Sequence, residues 1–229
     1  MPDKHCLIIQ HAEAAGPGRI AEVLGALGWR STTVAAFAGD SIPPRMPEGT
    51  GALVVLGGPL SVRDEADHPF LADAKRLLER AIAEDVPTLA VGFGAQLLAH
   101  VAGARVVTGV KPEIGWQPVA LTDKGEADGL FGRTLPAAFR AYQRHRETFD
   151  LPRGAVHLAK SAMYTRQAFR LGENVYGVQF HPEMSPALWE AWGPHPPEVL
   201  AQDPAQRLAE SEPWAGRLFR LFFERTGAR

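Results

Sequence analysis

The sequence predicts an α/β fold: a mainly parallel central sheet with helices on both faces, plus a small antiparallel excursion. Three observations predict it. Short, continuously apolar runs alternate with amphipathic stretches through the N-terminal half, the pattern of strands buried on both faces between crossover helices. Glycine-rich turns follow two of those runs, at Gly57-Gly58-Pro59 and Gly92-Phe93-Gly94. From about residue 104 the texture changes to short strands with short gaps, which fit hairpins and meanders better than crossovers.

In chain order, CLIIQ (6–10) is a first strand, followed by a Gly/Pro loop and the amphipathic RIAEVLGALGW (19–29). TTVAAF (32–37) and ALVVL (52–56) are β-rich. PFLADAKRLLERAIAEDV (69–86) has apolar spacing near 3.6 and many strong helix formers, which predicts a helix. TLAV (88–91) is a buried strand that turns through Gly92-Phe93-Gly94 into a helix beginning at Ala95. RVVTG, WQPVALT, AFRAYQ, AVHLAKS, RQAFRLG and VYGVQF follow as short strands, with the antiparallel part expected within 114–170. The tail from Pro186 holds Trp189, Trp192, Trp214 and the run AGRLFRLFFERTG, and is expected to pack back as helices. With no repeat, low-complexity tract or long linker, residues 1–229 read as a single domain.

Composition narrows the function. An apolar share of 45% and a charged share of 22% suit a globular protein with a real core. The net charge of -2, without blocks of either sign, gives no electrostatic case for nucleic acid or an anionic membrane. No apolar run approaches the ~20 residues of a membrane span, and MPDKHCLIIQHAE has the wrong flanks for a signal peptide, so a cytoplasmic location is expected. Cys6 is the one cysteine, which excludes an internal disulfide and a thiolate-rich metal site. The eight histidines show no metal-ligand spacing, so neither a metal nor another cofactor is expected.

Ligands of such sheets bind beyond the carboxyl ends of the strands, where three loops should converge: Gly57-Gly58-Pro59, Gly92-Phe93-Gly94 and the HPE after VYGVQF. In GVQFHPE (177–183), His181 lies just past a buried strand and Glu183 two residues on. A carboxylate orienting an imidazole is the base half of a nucleophile–base–orienter triad; a surface loop with an incidental His and Glu is the plainer alternative. LGGPLSV (56–62) offers unobstructed backbone N–H groups, as an oxyanion hole needs, or is simply a Gly/Pro turn. A sharp strand-to-helix turn such as TLAVGFGAQ is where many hydrolases hold a nucleophile. Its apex here is Gly92. Ser61 and Ser161 are hydroxyls on no such elbow, and His11 reads as a rim or hydrogen-bonding residue at the end of the first strand.

Taken together and in this order, the motifs resemble those of class I (triad-type) glutamine amidotransferases: a GGP loop, an elbow of pattern G-x-C-x-G-x-Q, then F-H-P-E. EIGWQPVALT (113–122) and RHRETFDLPRGAVHLAKS (144–161) look like the free-standing branch that includes γ-glutamyl peptidase-like proteins. The resemblance implies a flavodoxin-like sheet and hydrolysis of glutamine or γ-glutamyl amides through a Cys-His-Glu triad. It implies His181 as general base and Glu183 as its orienter. N–H groups near Gly58 and Phe93 would form the oxyanion hole, with Gly57, Gln96 and His145 also on the substrate side. Ammonia delivery would need a separate synthetase or acceptor protein.

Gly92 falls on the nucleophilic cysteine of that pattern, and Cys6 opens the first strand at the opposite end of the sheet. Without a thiolate no thioester can form. Glycine also relieves the backbone strain of an elbow. A second departure is His145-Arg146-Glu147 where relatives carry a motif like H-G-D. The expectation is an inactive glutaminase that binds a ligand or partner. Two alternatives stay open: an active γ-glutamyl hydrolase whose cysteine was replaced by engineering, and an interaction protein with a vestigial cleft. The presence of His181, Glu183 and Gln96 together counts against the last.

Overall fold

The computed structural model describes residues 4–226, which form nine strands and eight α-helices. The strands are β1 (His5–Gln10), β2 (Arg30–Ala35), β3 (Ala52–Val55), β4 (Thr88–Val91), β5 (Val106–Leu121), β6 (Ala138–Phe149), β7 (Val156–Ser161), β8 (Ala168–Leu171) and β9 (Val175–Val178). The helices are α1 (Arg19–Ala26), α2 (Phe70–Ala83), α3 (Phe93–Val101), α4 (Asp123–Glu126), α5 (Phe131–Thr134), α6 (Pro186–Ala191), α7 (Pro197–Leu200) and α8 (Pro204–Thr226). All strands join one sheet in the order β2-β1-β3-β4-β9-β8-β7-β5-β6. Pairing is parallel from β2 to β9 and antiparallel from β9 to β6. The expected parallel sheet with an antiparallel excursion is what the chain forms, although the antiparallel arm runs from Val106 to β9 rather than within 114–170.

The apolar runs are continuous because both faces are covered. Along β1 and β3, Cys6, Ile8, Ala52 and Val54 join one core with Ile20 and Leu24 of α1 and Trp214, Phe219 and Phe223 of α8. Their alternates Leu7, Ile9, Leu53 and Val55 join the other, with Leu71 and Leu78 of α2 and Leu97 of α3. A period of two thus puts Cys6–Ile9 of β1 and all of β3 in one core or the other. Because β2 and β3 flank β1 on opposite sides, strand order reverses there, and a crevice opens at the carboxyl ends of the strands.

The structure departs from the sequence reading in the antiparallel arm. RVVTG and WQPVALT are two parts of one 16-residue strand, β5, and AFRAYQ is the first half of the 12-residue β6. Gly109, Pro112 and Gly115 read as strand breakers, yet β5 absorbs them through a register shift between Thr108 and Glu113. Gly109 is required there, since a Cβ would lie 2.0 Å from the Tyr164 hydroxyl. At the elbow the helix starts at Phe93 rather than Ala95, with Gly92 as its N-cap.

Gly94 marks how closely α3 crosses β3: a Cβ on it would lie 2.2 Å from the Val55 carbonyl oxygen. Gly94→Ala should therefore destabilise the fold by about 2–3 kcal/mol through backbone displacement, read as a lowered urea midpoint. Gly216→Ala in α8, whose Cβ meets nothing within 4 Å, should instead gain up to about 1 kcal/mol. Equal effects at the two sites would contradict this packing.

Candidate active site

The site is built on the turn from β4 into α3. Gly92 has φ 56° and ψ -117°, a region that costs a residue with a Cβ about 1–3 kcal/mol. Its N–H donates to the Val178 carbonyl at 2.8 Å, which fixes the apex to β9. No side chain caps α3, and the N–H groups of Phe93 and Gly94 belong to the first turn, where no helical carbonyl can accept them. The positive end of the helix dipole is thus presented at the apex.

The chain leaves β9 and reaches His181, whose backbone N–H donates to the Tyr142 carbonyl of β6 at 2.9 Å. Its ring Nδ1 is 2.8 Å from Glu183 Oε1, and both side chains are buried. The carboxylate can only accept, so Nδ1 carries the hydrogen and Nε2 of the neutral ring offers a lone pair. That ring lies over Gly92: a Cβ built there would be 2.6 Å from Cε1 and 3.2 Å from Nε2 of His181. Trp192 packs edge-on against the ring at 4.8 Å between centroids and is anchored by its Nε1–H to the Ala14 carbonyl at 2.7 Å. Gly57 is buried alongside, where a Cβ would lie 3.4 Å from His181 Cε1.

A cavity of about 430 Å³ opens over this turn, and Gly58, Gly92, Phe93, Gln96, His145 and His181 are among its lining residues. The three loops therefore meet at one place. Gln96 Nε2 donates to the Glu147 carbonyl at 3.1 Å and to Gln179 Oε1 at 3.2 Å. His145 bridges β6 to β5: Nδ1 faces the Glu147 carbonyl at 2.9 Å and Nε2 faces Glu113 Oε2 at 3.0 Å. Both partners are acceptors, so only the doubly protonated ring satisfies both.

Sequence reasoning missed the network behind His145. The buried Glu113 also accepts from Ser161 Oγ at 2.7 Å and from Gln167 Nε2 at 2.7 Å. Glu113 lies about fifty residues before Ser161 and Gln167 in sequence, and no local motif links the three. Glu147 is a clasp: its carboxylate pairs with Arg63 and accepts from Ser61 Oγ at 3.1 Å, joining β6 to the segment after Gly57-Gly58-Pro59. Both serine hydroxyls are thus engaged away from the apex.

Cys6 is fully buried within the sheet, where desolvation pushes its thiol well above the ordinary range. Of the two readings of His11, rim or hydrogen-bonding residue, the structure gives the second, since the side chain is 2% exposed. Its Nδ1 bonds the Leu56 carbonyl at 3.0 Å, and its ring packs edge-on against Phe93. The run out of β1 simply continues inward beneath the GGP loop. Burial lowers its pKa to about 4, against the partly offsetting carbonyl bonds. Folding therefore excludes a proton that the unfolded chain binds below about pH 6.5. The neutral ring's contribution is complete above that pH and is lost as pH falls towards 4, a change of about 3 kcal/mol. Urea unfolding at pH 7 and pH 4.5 should show a smaller acid-induced loss in His11→Gln than in the parent. Equal losses would contradict a buried neutral His11.

Among the described residues, no group of three or more His, Cys, Asp or Glu is arranged to hold a metal ion, and no helix is long and apolar enough to cross a membrane. Residues 19–192 match the family described as glutamine amidotransferase class-I. A glutamine amidotransferase-like protein of Salmonella typhimurium is 30% identical over 181 residues, covering 76% of this chain and 74% of that protein. The glutamine-hydrolysing GMP synthase of Thermosipho melanesiensis is 34% identical over 136 residues, 58% of this chain, which corresponds to 24% of that synthase. A glutamine amidotransferase crystal structure from Thermotoga maritima superposes with TM-score 0.83 at 29% identity over 98% of both chains. One from Methylobacillus flagellatus superposes with TM-score 0.86 at 25% identity, covering 98% of this chain and 95% of that one. The nine-stranded α/β fold agrees with these matches, and the chain belongs to the class I glutamine amidotransferase family.

Proposed function

We propose that this protein binds glutamine or a γ-glutamyl compound at the α3 elbow without cleaving it through a covalent intermediate. The observation that carries this is Gly92 at the apex, beside an intact His181–Glu183 pair. His181 is the general base of the ancestral chemistry and Glu183 its orienter. Gly57, Gly58 and the Phe93 N–H supply the oxyanion hole, while Gln96 and His145 hold the substrate wall. Cys6, Ser61 and Ser161 are all held by burial or by other partners, so no alternative nucleophile reaches the apex. His181 could at most activate water, and the oxyanion hole and binding alone leave catalysis orders of magnitude below an intact triad.

A second reading, a γ-glutamyl hydrolase whose natural nucleophile is cysteine, is favoured by one observation. His181 Nε2 is 3.2 Å from where a Cβ at position 92 would stand, close to where a base must be. Either way, the protein bearing Gly92 generates no ammonia for an acceptor protein. Mixing it with a chromogenic γ-glutamyl amide should give no burst and no acyl adduct by intact mass. A stoichiometric burst would overturn the proposal.

A further inference from the structure

The cavity over Gly92 is richer in unspent donors than in acceptors. Arg144 and Arg146 are two apart on β6, so their side chains leave the same face of the strand, and both line the cavity. Among the described residues neither pairs with a carboxylate. Arg144 donates to the Trp192 carbonyl at 2.6 Å and lies over that indole, while Arg146 Nε donates to the Gly109 carbonyl at 3.2 Å. Glu147, the one acid among the lining residues, engages Arg63 and Ser61 through Oε1 alone.

A third donor lies deeper. Gln179 is fully buried and lines the cavity, and its Nε2 has no partner. Its orientation is fixed by its neighbour. Gln96 must present its NH2 to the Glu147 carbonyl, and the same nitrogen then requires the oxygen of Gln179. A buried donor left unmade calls for an acceptor from a ligand. The first-turn N–H groups of α3 face the same space with the positive end of the helix dipole behind them.

The empty apex changes which ligand this arrangement prefers. A thiolate at position 92 would repel a carboxylate placed against the elbow and favour a neutral amide. Gly92 carries no charge, so the helix terminus, the Gln179 amide and the two guanidinium groups act on a bound anion unopposed. We propose that the cavity is selective for acids over amides. Its ligand is a small dicarboxylate of the glutamate type, with the γ-carboxylate at the α3 terminus and the second carboxylate against Arg144 and Arg146. Glu147 Oε2, a buried acceptor without a partner, receives the α-ammonium group. This rests on the proposed reading of the site and adds the charge state of what fills it.

Calorimetric titration with L-glutamate, L-glutamine and inorganic phosphate tests it, using the full chain and the Gly92→Cys and Arg146→Gln variants. The parent should bind glutamate at least tenfold more tightly than glutamine, a preference that Gly92→Cys narrows or reverses above the thiol's pKa. Arg146→Gln should weaken both amino acids several-fold while leaving their ratio unchanged. Glutamine binding as tightly as glutamate would overturn the acid selectivity and leave γ-glutamyl recognition standing. Phosphate binding alone would overturn it in favour of a simple oxyanion site. If neither amino acid binds and Gly92→Cys gains no turnover, both this inference and the proposed function fall.

Discussion

A Gly92→Cys variant is expected to hydrolyse glutamine or a γ-glutamyl dipeptide, at a rate about 10³-fold or more above the parent. The reason is that only the sulfur is missing. The base, its carboxylate, the first-turn N–H groups of α3 and the glycine loop already surround the apex, and knocking out the nucleophile of an intact triad removes about 10⁶ in kcat. Recovery should stop short of that full factor. A Cβ at position 92 would lie 2.6 Å from His181 Cε1, so the ring must retreat while Glu183 holds it on one side and Trp192 packs on another. The new side chain also enters a backbone at φ 56° and ψ -117°, at a stability cost of about 1–3 kcal/mol. The variant should therefore melt lower than its parent while gaining activity. Steady-state ammonia release and a melting curve on the same sample read both. A well-folded variant with no turnover would show that the cavity has changed along with the nucleophile, and Arg146 is the first residue to revert.

In that Gly92→Cys background, Glu183→Gln should cost about 10³–10⁴ in kcat with little change in KM, the scale seen when a triad's orienting carboxylate becomes an amide. Glu183 Oε1 accepts from His181 Nδ1 at 2.8 Å in a buried setting. An amide there can present its NH2 to the ring, which moves the imidazole hydrogen to Nε2. The lone pair needed to take the thiol's proton is then on the wrong nitrogen. A loss confined to KM, or no loss, would remove Glu183 from the base assembly and leave it as packing.

The parallel half of the fold was legible because its signal is redundant. In CLIIQ, ALVVL and TLAV the positions are apolar except Gln10 and Thr88, since both cores draw on alternate residues, and the glycine turns and amphipathic helices that bound these runs mark them as strands. The antiparallel arm was less legible. β5 runs through Gly109, Pro112 and Gly115, residues that ordinarily end a strand, with a register shift between Thr108 and Glu113 and Tyr164 packed where a Cβ at Gly109 would stand. Only tertiary contact explains that glycine. At the site, the motif-borne residues Gly58, Gly92, Phe93, Gln96 and His181 line one cavity, because strand ends of a parallel sheet gather loops distant in sequence. The Glu113–Ser161–Gln167 network behind His145 had no such marker. Glu113 comes from β5, Ser161 from β7 and Gln167 from the turn before β8, and each one reads alone as an ordinary polar residue. The burial of His11, though not its hydrogen-bonding role, was illegible for a related reason, since nothing local tells that the chain after β1 dips beneath the Gly57-Gly58 turn.

The most direct measurement of the central claim is a single NMR sample of the unmodified protein with an excess of a γ-glutamyl dipeptide. It is followed at the His181 ring signals and at the ligand's own γ-methylene signals. The account predicts saturable shifts of the His181 resonances, while the dipeptide stays intact over hours and no free glutamate appears. Glutamate release at the ~1–10³ s⁻¹ of ordinary enzymes would contradict it outright.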